Sequence, residues 1–300
     1  MSGGGMIRDL YELVLKAFVR SRSLDERDER RICEELQGLQ TPLHFLREHF
    51  ATNGPLSAAA YEYGGLTADA YLCAYVPGYI AQARSVFRQV INNLKPALTR
   101  DEETLEIGLF CCGPAPEAVA AVDVLQENFG HLKLVFHLFD YRHKEWAPVR
   151  EALLDVGVRS RWSKVEIHTH DFNIVRPDGV ARFSTIISTL DIAIIQNVDN
   201  EVGAERPNMN RTIQLLASGI KSGATLVLSD VSSQASPNHD LLRPCLEALG
   251  EVSTQRPWPV KCRFPSGLIR ECLLLSDGPL KLFPRIWIRS RRMTLKRGVG

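Results

Sequence analysis

Side chains that can accept a proton follow the apolar runs in the second half of the sequence. His170, Asp199 and Glu201 each come within a few residues of a run that reads as a buried strand. The carboxyl ends of parallel strands meet at one edge of a sheet, so these groups are expected to share a site. Each could serve as the general base that removes a proton from a hydroxyl or an amine. They are the candidate catalytic residues, and Asp230, which ends a later apolar run, is a further candidate.

A turn of small residues divides the first predicted strand from a helix. The segment Leu105–Ala118 reads LEIGLFCCGPAPEA, and Pro116 suits the first helical position because its missing N–H needs no partner there. A dinucleotide site requires G-x-G-x-x-G to clamp a pyrophosphate. Only Gly113 matches that pattern, and Pro114 and Pro116 lack N–H donors. The turn therefore favours a nucleotide cofactor without a phosphate, which backbone can approach closely at Gly113.

At this turn the chain resembles the class I methyltransferases that depend on S-adenosylmethionine (SAM), whose first motif is a strand followed by G-x-G-x-G. Cys111 and Ala115 stand where that motif has its first and third glycines, with Gly113 between them. The resemblance spans about Thr104–Ile288 and is carried by strand order and by the residues at strand ends. It implies SAM as the cofactor, bound at Cys111, Gly113 and Ala115.

The ends of the later strands supply the other cofactor candidates. Asp140 ends the second predicted strand, Leu132–Phe139, where an acid takes the ribose hydroxyls in doubly wound folds. Tyr141 follows and is placed to stack near the adenine. The resemblance implies that Asp171, after the third strand, reaches the adenine amino group. It also implies that residues after the fourth strand border the methyl group. Two further residues complete the predicted cofactor site: Phe172 and Asn197.

An aromatic break interrupts the helical pattern before the sheet. The run Tyr71–Ile80 contains Pro77-Gly78, which breaks or kinks what would be one long helix. This segment could form a wall over the cofactor or substrate, with Tyr75 and Tyr79 as substrate-binding candidates, or it could be a kinked core helix. Arg84, one turn later, could meet a substrate carboxylate or could be an ordinary exposed helix arginine.

Composition and periodicity predict an α/β protein. The 300 residues are 45% apolar and 24% charged, as in a globular domain. Residues 1–98 show helical spacing and are predicted to form a helical N-terminal cap. Residues 99–300 alternate strands and helices, which predicts a doubly wound α/β sheet, and the resemblance implies that it is the Rossmann-like methyltransferase sheet. The chain should end in antiparallel strands, near Val260–Phe264, Leu268–Leu275 and Leu280–Ile288.

Charge and cysteine usage narrow the partners and the compartment. A net charge of +1 gives no overall attraction to nucleic acid, but residues 281–300 carry seven basic residues and no acid. They predict a basic C-terminal tail that meets RNA or an acidic partner, or else a solvated tail. Seven cysteines without CxxC spacing predict reduced thiols rather than a disulfide framework. No metal site is predicted. The lack of a signal peptide or a long apolar span predicts a cytoplasmic protein.

Two functions stay open. The first is a SAM-dependent methyltransferase that acts on an unidentified small molecule or macromolecule; Asp140 and Asp171 favour it. The second is a catalytically inactive methyltransferase-fold module for binding or assembly; Cys111 and Ala115 favour it. An NAD-dependent enzyme is disfavoured by the prolines of the turn. The expected partners are the methyl acceptor, RNA or an acidic molecule at the basic terminus, and a second copy of the chain in a homodimer.

Overall fold

The described residues before the sheet are mainly helical. A computed structural model describes residues 9–51, 65–98, 104–198, 202–261, 267–273 and 287–298. The helices before the sheet begin where capping residues allow it: the Asp9 carboxylate accepts the N–H groups of Tyr11 and Glu12 at 2.9 and 3.2 Å. They are α1 (Leu10–Ser21), α2 (Glu29–Gln37), α3 (Gln40–Ala51), α4 (Leu66–Ala74) and α5 (Val76–Leu98).

The predicted aromatic break separates α4 from α5. Helix α4 ends at Ala74, Tyr75 stands between the two helices, and α5 starts at Val76. Pro77 occupies the first turn of α5, where its missing N–H has no helical partner to lose. The break therefore lies on the N-terminal side of Pro77, and the tyrosines flank it.

A mixed seven-stranded sheet follows, in the order β3-β2-β1-β4-β5-β7-β6. Six strands run in the same direction, and β7 runs antiparallel to its neighbours β5 and β6. The strands are β1 (Thr104–Phe110), β2 (Lys133–Phe139), β3 (Val165–His170), β4 (Ile192–Gln196), β5 (Thr225–Val231), β6 (Gly250–Lys261) and β7 (Trp287–Arg297). The predicted doubly wound, Rossmann-like architecture with antiparallel pairing of the C-terminal strands is confirmed, and the strand order reverses between β1 and β4.

Two hydrophobic clusters cover the two faces of the sheet. Alternation along β1 sends Ile107 and Leu109 into a cluster with helices α1–α7, whereas Phe110 joins a cluster on the opposite face. The helical N-terminal region thus shares its core with the sheet. The helices after β1 are α6 (Pro116–Phe129), α7 (His143–Leu154), α8 (Asp178–Arg182), α9 (Ser184–Ile187), α10 (Arg206–Gly219) and α11 (Ser232–Glu247).

The C-terminal strands differ in position from the prediction. Strand β6 starts at Gly250, ten residues before the predicted start, and the predicted strand Leu268–Leu275 contains a π-helical turn, Ile269–Leu273. Strand β6 was not predicted over its full length because Pro257 and Pro259 argue against a strand. It tolerates these prolines because it is an edge strand. Most of the predicted strand Leu280–Ile288 lies outside the described residues.

The predicted basic tail is wrong for residues 287–297, which form β7 between β5 and β6. Met293 and Leu295 are buried in the core, and Arg292 and Lys296 alternate with them along the strand. Arg292 is buried too, donates to the carbonyl of Ser85 at 3.2 Å, and also binds Gln255. Burial lowers the pKa of Arg292 to about 10. The number of basic residues in this segment suggested a tail, and the apolar positions that indicate a strand were overlooked.

A disulfide joins the two ends of the fold. Cys33 of α2 bonds to Cys272 in the turn Ile269–Leu273, with their Cα atoms 5.3 Å apart. The prediction that these two thiols are reduced is therefore wrong. The two cysteines are 239 positions apart in the chain, so no local sequence signal indicates their pairing.

None of the helices in the described ranges is both long and apolar enough to cross a bilayer.

Candidate functional site

The turn between β1 and α6 has the backbone conformation of a glycine-rich loop, although only one of its three left-handed residues is glycine. Cys111, Gly113 and Ala115 have φ values of 54°, 49° and 61°, all in the left-handed region. These are the three positions where the resembled motif has glycine. The left-handed region costs an L-residue about 1–2 kcal/mol, so Cys111 and Ala115 hold strain that the surrounding packing must offset. Two of the three left-handed positions are therefore occupied by residues other than glycine.

Asp140 ties the end of β2 to this turn. Its Oδ2 accepts the N–H of Gly113 at 2.9 Å, and its Oδ1 accepts the N–H of Arg142 at 2.8 Å. Burial raises the pKa of Asp140, and these two N–H groups oppose that rise by stabilising the carboxylate. An ionised carboxyl has about four lone-pair sites, so two remain for the hydroxyls of a diol. The side chain therefore fits the ribose role that its position predicts.

Aromatic rings cover the turn. A Cβ built on Gly113 would lie 3.2 Å from Cε2 of Trp146 in α7. The ring of Tyr71 meets that indole edge-on, with centroids 5.1 Å apart. Cys112 and Ala115 are buried beneath these rings, while Cys111 is half-buried. The turn is therefore packed on one side by α4 and α7 before any ligand is considered.

Glu117, in the first turn of α6, is a buried acid. It is 4% exposed, and its Oε2 has no hydrogen-bond partner. Burial, with a smaller contribution from Asp140, raises the pKa of Glu117 to about 8. The folded chain thus carries a neutral carboxylic acid beside an ionisable Asp140. In the sequence, the one indication of this burial is that Glu117 falls on the apolar face of α6.

Glu117→Gln is expected to remove a pH dependence of folding. An unfolded glutamate loses its proton near pH 4.3, whereas the folded one keeps it to about pH 8. Folding stability should therefore fall as pH rises through this window, because the unfolded chain binds fewer protons. Urea unfolding should show equal stabilities of wild type and variant near pH 4.5. The variant should be more stable by roughly 2–4 kcal/mol at pH 8.5.

The exposed Glu12→Gln provides the control, since Glu12 lies at the surface and pairs only with Lys16. Its stability should follow the wild-type pH profile. Parallel profiles for wild type and Glu117→Gln would contradict a protonated Glu117.

The residues after β3 separate into one exposed acid and one core ring. Asp171 is exposed at the end of the strand, as its predicted role requires. Phe172 is 1% exposed and meets the rings of Phe110 and Phe139 edge-on, at 5.4 and 5.6 Å between centroids. The predicted cofactor contact of Phe172 is thus replaced by a place in the core. Tyr141 is 47% exposed beside Asp140, which leaves its predicted stacking role open.

His170 belongs to a row of imidazoles across β2 and β3. Its Nε2 lies 3.1 Å from Nδ1 of His137, whose Nε2 lies 2.8 Å from Oε2 of Glu106. The rings of His168 and His170 both stack on His137 at 5.3 Å. Burial and the neighbouring imidazoles lower the pKa of His170 to about 4, which makes it a weak base at neutral pH. Within the described ranges, no three His, Cys, Asp or Glu side chains are arranged to hold a metal ion.

An amide network fixes α5 over the ends of β4 and β5. Asn197, with φ 57°, donates to Oε1 of Gln82 at 3.1 Å, and Gln82 donates to Oδ1 of Asn197 at 3.3 Å and to Oγ of Ser229 at 3.1 Å. Gln196 donates to the carbonyl of Tyr79 at 3.4 Å. Asn197 therefore lies at the predicted edge, and Gln82 was missed because it sits in the apolar pattern of α5. Asp199 and Glu201 lie outside the described residues.

Arg84 meets a carboxylate, but one that belongs to the protein. Its Nε donates to Oδ2 of Asp123 on α6 at 2.7 Å, and Arg161 reaches the other oxygen of Asp123 at 2.6 Å. The predicted substrate role of Arg84 is thus replaced by a buried ion pair between α5 and α6. Tyr75 and Tyr79 are half-buried and stacked, with ring centroids 6.2 Å apart, so their predicted role stays open.

Comparison with known proteins gives matches in fold alone. No protein-family model and no curated protein sequence matches the chain. A solved O-methyltransferase family protein from Burkholderia thailandensis is 14% identical, with a TM-score of 0.47 over 89% of this chain and 72% of that one. An rRNA methylase from Streptococcus thermophilus is 8% identical, with a TM-score of 0.40 over 66% and 89%.

A Listeria monocytogenes protein assigned to the class I SAM-dependent methyltransferases is 12% identical to this chain. Its TM-score is 0.48, over 97% of this chain and 87% of that one. These structural neighbours are methyltransferases by description. The assignment of the fold itself rests on the strand order given above.

Proposed function

We propose that this protein binds SAM in the crevice between the carboxyl ends of β1 and β4 and transfers its methyl group to an acceptor. The hydrogen bond from Gly113 to Asp140 carries the proposal. It joins the acid at the end of β2 to a turn whose three left-handed residues reproduce a glycine-rich loop. Open α/β sheets bind their ligands at such a reversal of strand order.

The side chains around the crevice suit a cofactor with a diol and no phosphate. SAM would supply the activated methyl group, so the protein mainly binds and aligns the reactants. Asp140 offers its remaining lone pairs to the ribose, and Gly113 allows close approach of the backbone. Tyr141 offers an exposed ring, and Asp171 an exposed carboxylate, for the adenine. Alignment of two bound reactants can lower a barrier by up to about 7–11 kcal/mol.

Removal of the acceptor's proton is assigned by comparing the four predicted bases. Asp230 lies in β5 and is 4% exposed, and His170, with its lowered pKa, takes up a proton poorly at neutral pH. Asp199 and Glu201 come two and four residues after Asn197 in the sequence. They remain the proposed bases for a hydroxyl or amine acceptor.

The inactive binding module is the second candidate, and the aromatic packing of Trp146 and Tyr71 at the turn favours it. Trp146 and Tyr71 already pack on the side of Gly113 where a Cβ would lie. A protein of this fold whose ligand site is filled by its own side chains would show the same packing. The cover does not extend to Cys111, Tyr141 or Asp171, which leaves the methyltransferase as the main proposal.

Calorimetric titration of the folded protein with SAM and with S-adenosylhomocysteine tests the proposal. Micromolar binding of both compounds would support it and would justify a search for the acceptor with labelled methyl groups. Absence of binding to either compound, with folding verified by circular dichroism, would favour the inactive module. Stronger thermal stabilisation by NAD than by SAM would contradict both.

Gly113→Val is expected to weaken SAM binding at least tenfold. Valine is strained at a φ of 49°, and its Cβ would press on Trp146 and narrow the approach to the turn. The matched control is Gly130→Val, since Gly130 has a φ of −60° and its nearest foreign atom is a carbonyl 3.6 Å away. Should Gly113→Val fail to fold, Gly113→Ala makes the same test more gently. Unchanged affinity in a folded variant would place the site elsewhere.

A further inference from the structure

Three histidines line up across β2 and β3, and the proposed reaction uses none of them. His137 of β2 stands beside His168 of β3 in the strand register, and His170 lies two residues further along β3. The rings of His168 and His170 both stack on His137, with centroids 5.3 Å apart. These three residues are called the imidazole row below. Within the described sheet, the row lies where the edge strand β3 meets its neighbour β2.

The hydrogen bonds of the row fix where its protons lie. Nε2 of His137 is 2.8 Å from Oε2 of Glu106 in β1, and because a carboxylate only accepts, this nitrogen carries the N–H. The other nitrogen of a neutral His137, Nδ1, is then an acceptor. It lies 3.1 Å from Nε2 of His170, which must be the donor. Both rings therefore have the Nε2–H tautomer while they are neutral.

Protonation of both rings breaks this arrangement at a single contact. The charged rings would direct two N–H groups at each other, one on Nδ1 of His137 and one on Nε2 of His170, across the same 3.1 Å. The hydrogen bond that joins the rings would be lost, and two cations would repel each other. Acid therefore acts directly on a side-chain link between β2 and β3.

The charged groups beside His137 and His168 compensate a first proton but not a second. Glu106 contacts His137 and favours one positive charge there, although burial lowers the pKa of His137. Glu166 lies 3.8 Å from His168, but it is also paired with Lys133 at 2.7 Å. Its negative charge is therefore already shared with a cation.

The surroundings of His170 oppose a charge on its ring. The ring stacks on Phe139 at 4.7 Å and lies 5.3 Å from the ring of Phe183, over which Arg182 adds a positive charge. The next residue, Asp171, is exposed, so water screens its carboxylate. Burial and the other two imidazoles lower the pKa of His170 from 6.5 to about 4. An imidazole on a detached strand would face water and bind a proton more readily.

We propose that the imidazole row is an acid-sensitive switch, which keeps β3 paired with β2 at neutral pH and releases the carboxyl end of β3 on acidification. The effect is expected at β3 because this strand pairs with a single neighbour in the described sheet. Release would also move Asp171, the proposed adenine contact. That consequence rests on the proposed function, whereas the switch itself does not.

Backbone hydrogen exchange tests the switch, because it reports on β3 separately from the whole-chain effect of Glu117. Protons that bind the released strand and not the paired one favour release by up to about tenfold per pH unit between pH 6.5 and about pH 4. Protection factors of the hydrogen-bonded amides in β3 should therefore fall at least tenfold from about pH 6.5 to about pH 4.5. Those of the central strand β4 should fall less than threefold. Equal changes in the two strands would overturn the proposal.

His170→Gln separates the switch from a general weakening in acid. Glutamine keeps an N–H donor for Nδ1 of His137, and it can turn its oxygen toward that nitrogen once it is protonated. Protection of β3 should then change less than threefold between the two pH values. The matched control, His131→Gln, changes an exposed histidine two residues before β2 and should keep the tenfold loss. A full loss in a folded His170→Gln variant would contradict the switch.

The ¹⁵N chemical shifts of the imidazoles give a second measurement, which needs no variant. Near neutral pH both His137 and His170 should show the Nε2–H tautomer. An Nδ1–H tautomer at either ring would mean that the row is not linked as described, and it would overturn the proposal even if His170→Gln failed to fold.

SAM titration at neutral pH separates this inference from the proposed function. SAM binding without a selective loss of β3 protection in acid would overturn the switch and leave the methyltransferase proposal standing. Selective loss of β3 protection without SAM binding would support the switch and count against the methyltransferase.

Discussion

Asp123→Ala is expected to lower the free energy of unfolding by about 3–5 kcal/mol. The Asp123 side chain is fully buried and lies between the guanidinium groups of Arg84 and Arg161, which are only 10% and 12% exposed. Alanine would leave two like charges facing each other away from water. Urea unfolding would measure the change, as a lower midpoint with an unchanged slope.

The surface of the same protein offers a matched control. Asp155 also lies between two arginines, Arg20 and Arg159, each at 2.6 Å, but its side chain is 28% exposed. Asp155→Ala is therefore expected to lower stability by about 1 kcal/mol or less. Similar losses for the two variants would show that burial is not what makes Asp123 important.

Asp140→Asn is expected to weaken SAM binding by about 10–100-fold, from the loss of charge-assisted hydrogen bonds worth about 1.5–3 kcal/mol. An asparagine has one oxygen, so its NH₂ group must face the N–H of either Gly113 or Arg142, where two donors repel. The turn would lose a link to β2, and the ribose an ionised acceptor. Calorimetry with SAM would measure both affinity and enthalpy.

Asp178→Asn controls for the chemical change, because Asp178 is exposed in the first turn of α8. Its affinity for SAM should equal that of the wild type. If a folded Asp140→Asn variant also retained full affinity, Asp140 would serve only to hold the turn.

The sequence predicts the parts of the site that depend on local pattern. Apolar runs followed by small or acidic residues placed the turn at Gly113 and the acid at Asp140, because strand and helix periods are local properties. The hydrogen bond that joins these two residues shows how far such a pattern reaches across neighbouring strands. The same alternation of elements predicts the α/β class, whereas the doubly wound strand order was implied by the resemblance.

What escaped prediction depends on partners that are distant in sequence. From the sequence, Arg84 is a candidate for binding a substrate carboxylate or an exposed helix arginine, but α6 places Asp123 against it. Phe172 looked like a strand-end residue, but β1 and β2 bring the rings of Phe110 and Phe139 to it. Gln82 and Gln196 gain their meaning only where α5 crosses the sheet edge. Such pairings are decided by tertiary packing, which no local window contains.

The bond between Cys33 and Cys272 also changes the chain when it is not folded. The oxidised polypeptide is a covalent ring that contains β1 through β6, with α1 and β7 on the two free arms. In the chain-entropy model a ring of this size lowers the conformational entropy of the denatured ensemble, which stabilises the folded protein by about 5 kcal/mol. Yet β7 must still insert between β5 and β6 from its free arm. Ring closure therefore restricts the conformations of the unfolded residues inside the ring, but not those of β7, which completes the sheet. Oxidation before β7 docking and β7 docking before oxidation are two distinct folding routes.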